Sequence, residues 1–284
     1  QKLGTTRTEA DEVEILSGIR ENRTCGTPIC GVIYNQNTRS QDYERTKRLL
    51  RPSHADYTGH VKYRGFEDYR GGGHFSGRIT APLVFAEPRF TRGTLTKETL
   101  CWLGQQTVPV LAKEHADTIA LRIEAARMEL NSLGGIVETA ILGIPAGLGD
   151  PFFDSMESRL AHILFSVPAV KGVSFGIGAD FADMTGAEAN DPYTVEDGQI
   201  RTVTNHNGGI LGGITNGMPL TFETVIKPTP SISRSQQSVD LETGQIETLT
   251  IVGRHDPCIV PRAIPVLEAA AAIAIYDAWK GAKI

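Results

Sequence analysis

Five basic side chains and three histidines crowd into residues 51–80: Arg51, Lys62, Arg64, Arg70 and Arg78, with His54, His60 and His74. The same stretch holds Gly71-Gly72-Gly73. Such a run packs poorly, because buried charge needs partners and glycine offers no side chain. It suits an anion site, where Arg forks grip phosphate or carboxylate, glycine admits a ligand close to the backbone, and histidine moves protons near neutral pH. One such run reads equally well as a solvated basic loop.

A second region has the same ingredients. Residues 205–217 read NHNGGILGGITNG, followed by Lys227, Pro228, Thr229, Pro230 and Ser231, and then by Gly253-Arg254-His255-Asp256-Pro257-Cys258. Five of the seven histidines lie in these two regions. Two regions of one composition point to a shared polyanion site. Lys227, flanked by proline and two hydroxyl residues, makes a phosphate clamp on chemical grounds alone.

The elements that must carry these residues are mixed in type. Alternation marks a half-buried strand at 13–15, ended by Ser17-Gly18, and an apolar run follows at 30–34. A short helix is expected over 43–50, and a buried helix or strand starts at 81–86. The text at 87–108 has poor periodicity. Ile119, Ile123, Ala126 and Leu130 share one face of a helix over 114–130, which Gly134-Gly135 ends. Strands are expected at 136–142, 170–175, 221–226 and 246–252. Asp154 is the expected cap of a helix through Phe165, with Leu160, Ile163 and Leu164 inward and His162 on its outer face. Residues 176–190 read as a polar loop. Gly176-x-Gly178 follows a strand, but no third glycine opens a helix, so a dinucleotide fingerprint is discounted. An Ala-rich packing helix spans 265–278. Without a regular strand–helix alternation, the fold class is α+β.

Composition narrows the function. The 284 residues are 40% hydrophobic, enough for one large domain or two ordinary ones. Twenty-eight basic against thirty-three acidic residues leave a net charge of −5, which gives no electrostatic support to a nucleic-acid or membrane-surface role. Cys25, Cys30, Cys101 and Cys258 form neither a disulfide framework nor a zinc spacing, and they read as reduced thiols in a cytoplasmic protein. No apolar run reaches the ~20 residues that span a bilayer. No metal site and no Gly-x-Ser-x-Gly nucleophile elbow occur.

The blocks RPSHADYTG (51–59), DYRGGG (68–73), SVPAVKG (166–172), NHNGGILGGITNG (205–217), KPTPSI (227–232) and GRHDPCIVPRAIPVLEA (253–269) resemble chorismate synthase, in that family's order. The resemblance covers 11–86 and 114–280, while 87–113 matches poorly. A Gly-Glu-x-His-Gly block that supplies a second active-site histidine in the family does not occur in this sequence, and the chain reads as N-terminally incomplete. The resemblance implies a β-α-β sandwich as a single large domain over 1–284, a homotetramer, and anti-1,4-elimination of phosphate from 5-enolpyruvylshikimate 3-phosphate to give chorismate. Reduced FMN is required without net redox change; some members of the family reduce the flavin themselves with NADPH, and reliance on an external flavin reductant is the expectation here.

By motif position, the resemblance implies substrate-binding roles for Arg51, Arg78 and Arg254. It assigns His54 to hydrogen-bond or protonate the reduced flavin, and Asp256 to help take up the substrate proton through the flavin N5. Flavin contacts fall on His74, Phe75, Ser76, Ala169, Gly212, Lys227, Pro228, Thr229, Pro230, Ser231 and Arg254. Many members read Arg-Ser-Ser where this chain has His74-Phe75-Ser76. Two other readings are a phosphate- or FMN-binding protein that has lost catalysis, and a flavin oxidoreductase.

Overall fold

The computed structural model describes residues 12–24, 29–33, 49, 95–150, 152–253 and 255–282. In chain order the strands are β1 (Glu14–Ser17), β2 (Ile19–Arg20), β3 (Arg23–Thr24), β4 (Cys30–Val32), β5 (Gly135–Ile141), β6 (Val170–Phe175), β7 (Tyr193–Glu196), β8 (Gln199–Thr202), β9 (Ile210–Leu211), β10 (Ile214–Thr215), β11 (Leu220–Ile226), β12 (Gln236–Val239) and β13 (Ile246–Leu249). The helices are α1 (Lys97–Leu103), α2 (Lys113–Met128), α3 (Met156–Ser166), α4 (Gly186–Ala189) and α5 (Val260–Gly281). The α+β class holds.

The scaffold is an antiparallel sheet of order β5-β11-β6. Leu220, Phe222, Thr224 and Ile226 alternate along β11, and all four are buried on the face that meets the helices. Phe222 stacks at a tilt on Phe175 of β6, ring centroids 6.0 Å apart. Over this face lie α3 and α5, which contribute Leu160, Leu164, Leu267 and Ala271 to one continuous core.

Several expectations meet the structure closely. β6 has the predicted bounds, and α2 and β5 differ from theirs by a residue or two. Others need correction. β1 is a strand, but all four residues are exposed, so its alternation is not that of a half-buried element. The cap of α3 is Ser155, whose hydroxyl accepts from Ser158 N, while Asp154 closes a short 3-10 turn before it. Leu130 ends the α2 stripe exposed and in a left-handed conformation (φ 57°). Inside the text at 87–108, Thr96 caps the short helix α1. The 176–190 loop contains α4, and α5 begins five residues before its expected start because burial of its apolar face outweighs the interior Pro265. The β7–β8 hairpin was not foreseen, although Asp197 (φ 50°) and Gly198 (φ 74°) form the turn that an Asp-Gly pair favours.

The expected segments at 43–50 and 81–86 lie outside the described residues, except that Leu49 bridges Asp240. Val137 of β5 and Ile264, Leu267 and Ala271 of α5 belong to the core, while Ile136 is exposed.

Candidate active site

Four segments converge where β5 begins and β6 and β11 have their neighbouring ends. Ile226 pairs with Gly135 on one side and Val170 on the other, so residues 134, 169 and 227 meet at a single sheet edge. Ala169 stands in the left-handed region (φ 75°), a conformation rare for a residue with a Cβ, and its carbonyl accepts from Lys227 N at 2.9 Å. Strain of this kind collects at functional sites.

Gly134 lets the next segment approach. A side chain there would run into Ile226 O, Pro228 N and Pro228 Cδ. Beside it, Ser132 Oγ donates to Thr229 O at 2.6 Å, fixing the Lys-Pro-Thr-Pro-Ser run from below. Leu133 N donates to Pro257 O at 2.7 Å and Leu133 bridges Cys258, which carries the Asp256 loop to the same edge.

The chemistry of this edge is that of an anion site. Burial, then the neighbouring Lys171 ammonium, holds the Lys227 amine below its usual range. The charge of an arriving anion opposes both effects. Thr229 Oγ1 is buried without a hydrogen-bond partner among the described residues, as expected of a hydroxyl that a ligand completes. Asp256 Oδ2 accepts from Arg262 Nη1 at 2.6 Å, and the carboxylate is only 12% exposed. Burial pushes the adjacent Cys258 thiol up to about 11, the Asp256 charge adding to it against a hydrogen bond from Val260. That sulfur is inert near neutral pH.

The structure thus brings together Ala169, Lys227, Pro228, Thr229, Pro230, Ser231 and Asp256. Gly212 stands elsewhere. It turns the β9–β10 hairpin (φ 60°) with open space where a side chain would stand. Its neighbour Gly213 accepts from Met156 N at the start of α3, and Thr215 ties to the 145–148 loop. The length of α3 and of seven-residue β11, roughly 20 Å, separates the hairpin from Lys227. Arg51, His54, His74, Phe75, Ser76, Arg78 and Arg254 lie outside the described residues.

Three residues that build the site carry little signal of it in their type. Gly134 reads as a helix stop, Ser132 has nothing to distinguish it, and Arg262 is marked only as a lone cation in the apolar text CIVPRAIPV. Asp191, just beyond the polar loop at 176–190, builds the glycine loop instead. Its carboxylate, 1% exposed, accepts from Thr204 Oγ1, His206 N, Asn207 N and Asn207 Nδ2 at 2.6–3.0 Å, and so shapes the glycine loop that leads to β9. The discounted Gly176 serves that loop too. It lies so close to His206 O and Gly208 N that no side chain fits.

The family model described as chorismate synthase matches residues 1–279. A chorismate synthase of Dehalococcoides mccartyi is 45% identical over 302 residues, covering 96% of this chain and 81% of that protein. That of Chitinophaga pinensis is 47% identical, covering 96% and 80%. That of Thermococcus kodakarensis is 41% identical, covering 99% and 86%. A crystal structure of chorismate synthase superposes with a TM-score of 0.64 at 24% identity, over 94% of this chain and 77% of that one, a likeness of fold. With matches of this length and identity on top of a shared fold, the chain belongs to the chorismate synthase family.

Proposed function

We propose that the edge built from Ala169, residues 227–231 and Asp256 is the flavin side of the active site, completed by Arg51, Arg78, Arg254 and His54. The reaction is the family's: this chain is a lyase that converts 5-enolpyruvylshikimate 3-phosphate to chorismate and phosphate by anti-1,4-elimination, the last step of the shikimate pathway. The observation that carries the site reading is the convergence of three separate sequence blocks on one end of one sheet.

The residues present fit FMN. Lys227, desolvated and beside Lys171, takes an anionic group, and the unpartnered Thr229 hydroxyl offers it a hydrogen bond. Reduced FMN, when bound, supplies an electron-rich ring that stabilises an electron-poor transition state. The protein's own work is positioning and charge. Arg51, Arg78 and Arg254 hold the substrate's carboxylates and take up charge on the departing phosphate. Asp256 accepts the proton that leaves the substrate, its carboxylate fixed on the first turn of α5. His54 hydrogen-bonds the flavin. Reduction comes from an external reductant in this reading.

Two anions in one cation-rich site screen the arginines' repulsion for each other, so each ligand strengthens the other. Flavin fluorescence titrated with the full-length protein is expected to show weak FMN binding alone and much tighter binding with 5-enolpyruvylshikimate 3-phosphate present. Equal affinity in the two titrations refutes a shared site.

The protein works as a cytoplasmic homotetramer in this reading; among the described residues no helix is long and apolar enough to cross a membrane. What supports assembly is a stripe on the outer side of α5, where Ile273, Tyr276 and Trp279 are each more than half exposed. Light scattering at micromolar concentration is expected to give four copies; a clean monomer overturns it.

A further inference from the structure

We propose that Arg262 is a positioning residue for the reaction, its guanidinium setting the orientation in which the Asp256 carboxylate meets the bound ligands. The proposal rests on the reading of Asp256 as proton acceptor. Arg262 is the third residue of α5, and its Nη1 donates to Asp256 Oδ2 at 2.6 Å. The two side chains are 30% and 12% exposed, so solvent and salt screen this pair less than a surface pair.

The placement runs against local electrostatics. The amino end of a helix carries partial positive charge, and a cation in the first turn is disfavoured there. That turn of α5 contains no acidic residue to compensate. Its neighbours Val260, Ala263 and Ile264 are buried and apolar, and any good helix former at 262 satisfies the helix equally. What an arginine adds at this point is a rigid, planar donor group that reaches Asp256 Oδ2 through Nη1.

The backbone of the Asp256 loop is anchored by other means. Leu133 N donates to Pro257 O, and Leu133 bridges Cys258. The path of the loop is therefore set without the ion pair, and what Arg262 adds is a restraint on the torsions of the Asp256 side chain. A carboxylate displaced by an ångström is still bound in the site but is badly placed for proton transfer.

The test is anaerobic steady-state turnover of the full-length protein with reduced FMN and 5-enolpyruvylshikimate 3-phosphate, with FMN titrations and thermal melts of each variant. Arg262→Ala is expected to lower kcat by roughly 10- to 100-fold while KM and FMN affinity stay within about twofold. Arg262→Lys is expected to fall between Arg262→Ala and wild type, because an ammonium pairs with the carboxylate but lacks the fork. In an Asp256→Asn background, Arg262→Ala is expected to cost nothing further.

The outcomes separate the two ideas. Normal turnover by Asp256→Asn removes Asp256 from the chemistry, and the Arg262 proposal falls with it. Loss in Asp256→Asn beside normal turnover in Arg262→Ala leaves the Asp256 reading standing and overturns the positioning role. A full additional loss in the double variant, or a raised KM at unchanged kcat, means that Arg262 acts on the ligands directly and also overturns it. Should Arg262→Ala melt far below wild type, Arg262→Lys decides: wild-type kcat there refutes the need for the fork, and an intermediate kcat at an unchanged melting temperature supports it.

Discussion

Alanine at position 54 is expected to slow turnover by roughly 10- to 1,000-fold, the cost of one lost proton-transfer group, while the melting temperature stays nearly unchanged. His54 sits between Ser53 and Ala55 in a polar stretch that offers little to a core, so folding has little to lose. Arg51, three residues earlier, gives the contrast. Its expected work is to hold an anion, so Arg51→Ala raises KM far more than it lowers kcat. Steady-state kinetics with reduced FMN under anaerobic conditions, run beside melts of both variants, check the pair. A His54→Ala enzyme that turns over normally takes His54 out of the mechanism. One that melts many degrees lower makes it a structural residue instead.

The parts of this molecule that sequence discloses are those where one short-range rule acts alone. β6 and β11 read as strands because β-branched and aromatic residues alternate between a helix-covered face and the opposite face. α5 reads as a packing helix from its alanines. The site blocks are legible for a different reason: their order and spelling match a family, whereas composition alone leaves a polyanion site without a substrate. What stays hidden depends on contacts between distant segments. Gly134 looks like a helix stop, and only the packing of Pro228 against it shows why no other residue serves there. Ser155 takes the cap from Asp154 because a 3-10 turn intervenes, and a turn of three residues has no periodicity to detect. Gly212 and Lys227 belong to neighbouring blocks in sequence, yet α3 and β11 hold them at opposite ends of the sheet.

Asp191 is the residue on which the glycine loop at 204–209 depends, and removing its charge is expected to destabilise the fold by about 2–4 kcal/mol. Both carboxylate oxygens are in use. Oδ1 accepts from Thr204 Oγ1 and His206 N, and Oδ2 from Asn207 N and Asn207 Nδ2. Burial pushes the carboxyl up, but the hydrogen bonds from Thr204, Asn207 and His206 together outweigh it and hold the group below the ordinary aspartate value. With the folded value depressed, the unfolded chain binds the proton more readily. The stabilisation is therefore complete above the unfolded value near pH 4 and is lost as pH falls through the lower folded value. Asp191→Asn gives little relief. Whichever way its amide is turned, the NH2 group faces a backbone N–H, of His206 or of Asn207, so at least one hydrogen bond becomes a donor-to-donor contact. Asp191→Ala and Asp191→Asn are both expected to melt several degrees below wild type at pH 7, and the gap is expected to narrow below pH 4. Calorimetric melts from pH 3 to 8 measure this. An Asp191→Asn protein as stable as wild type at pH 7, or a gap that widens in acid, shows that the loop is held by something other than this carboxylate.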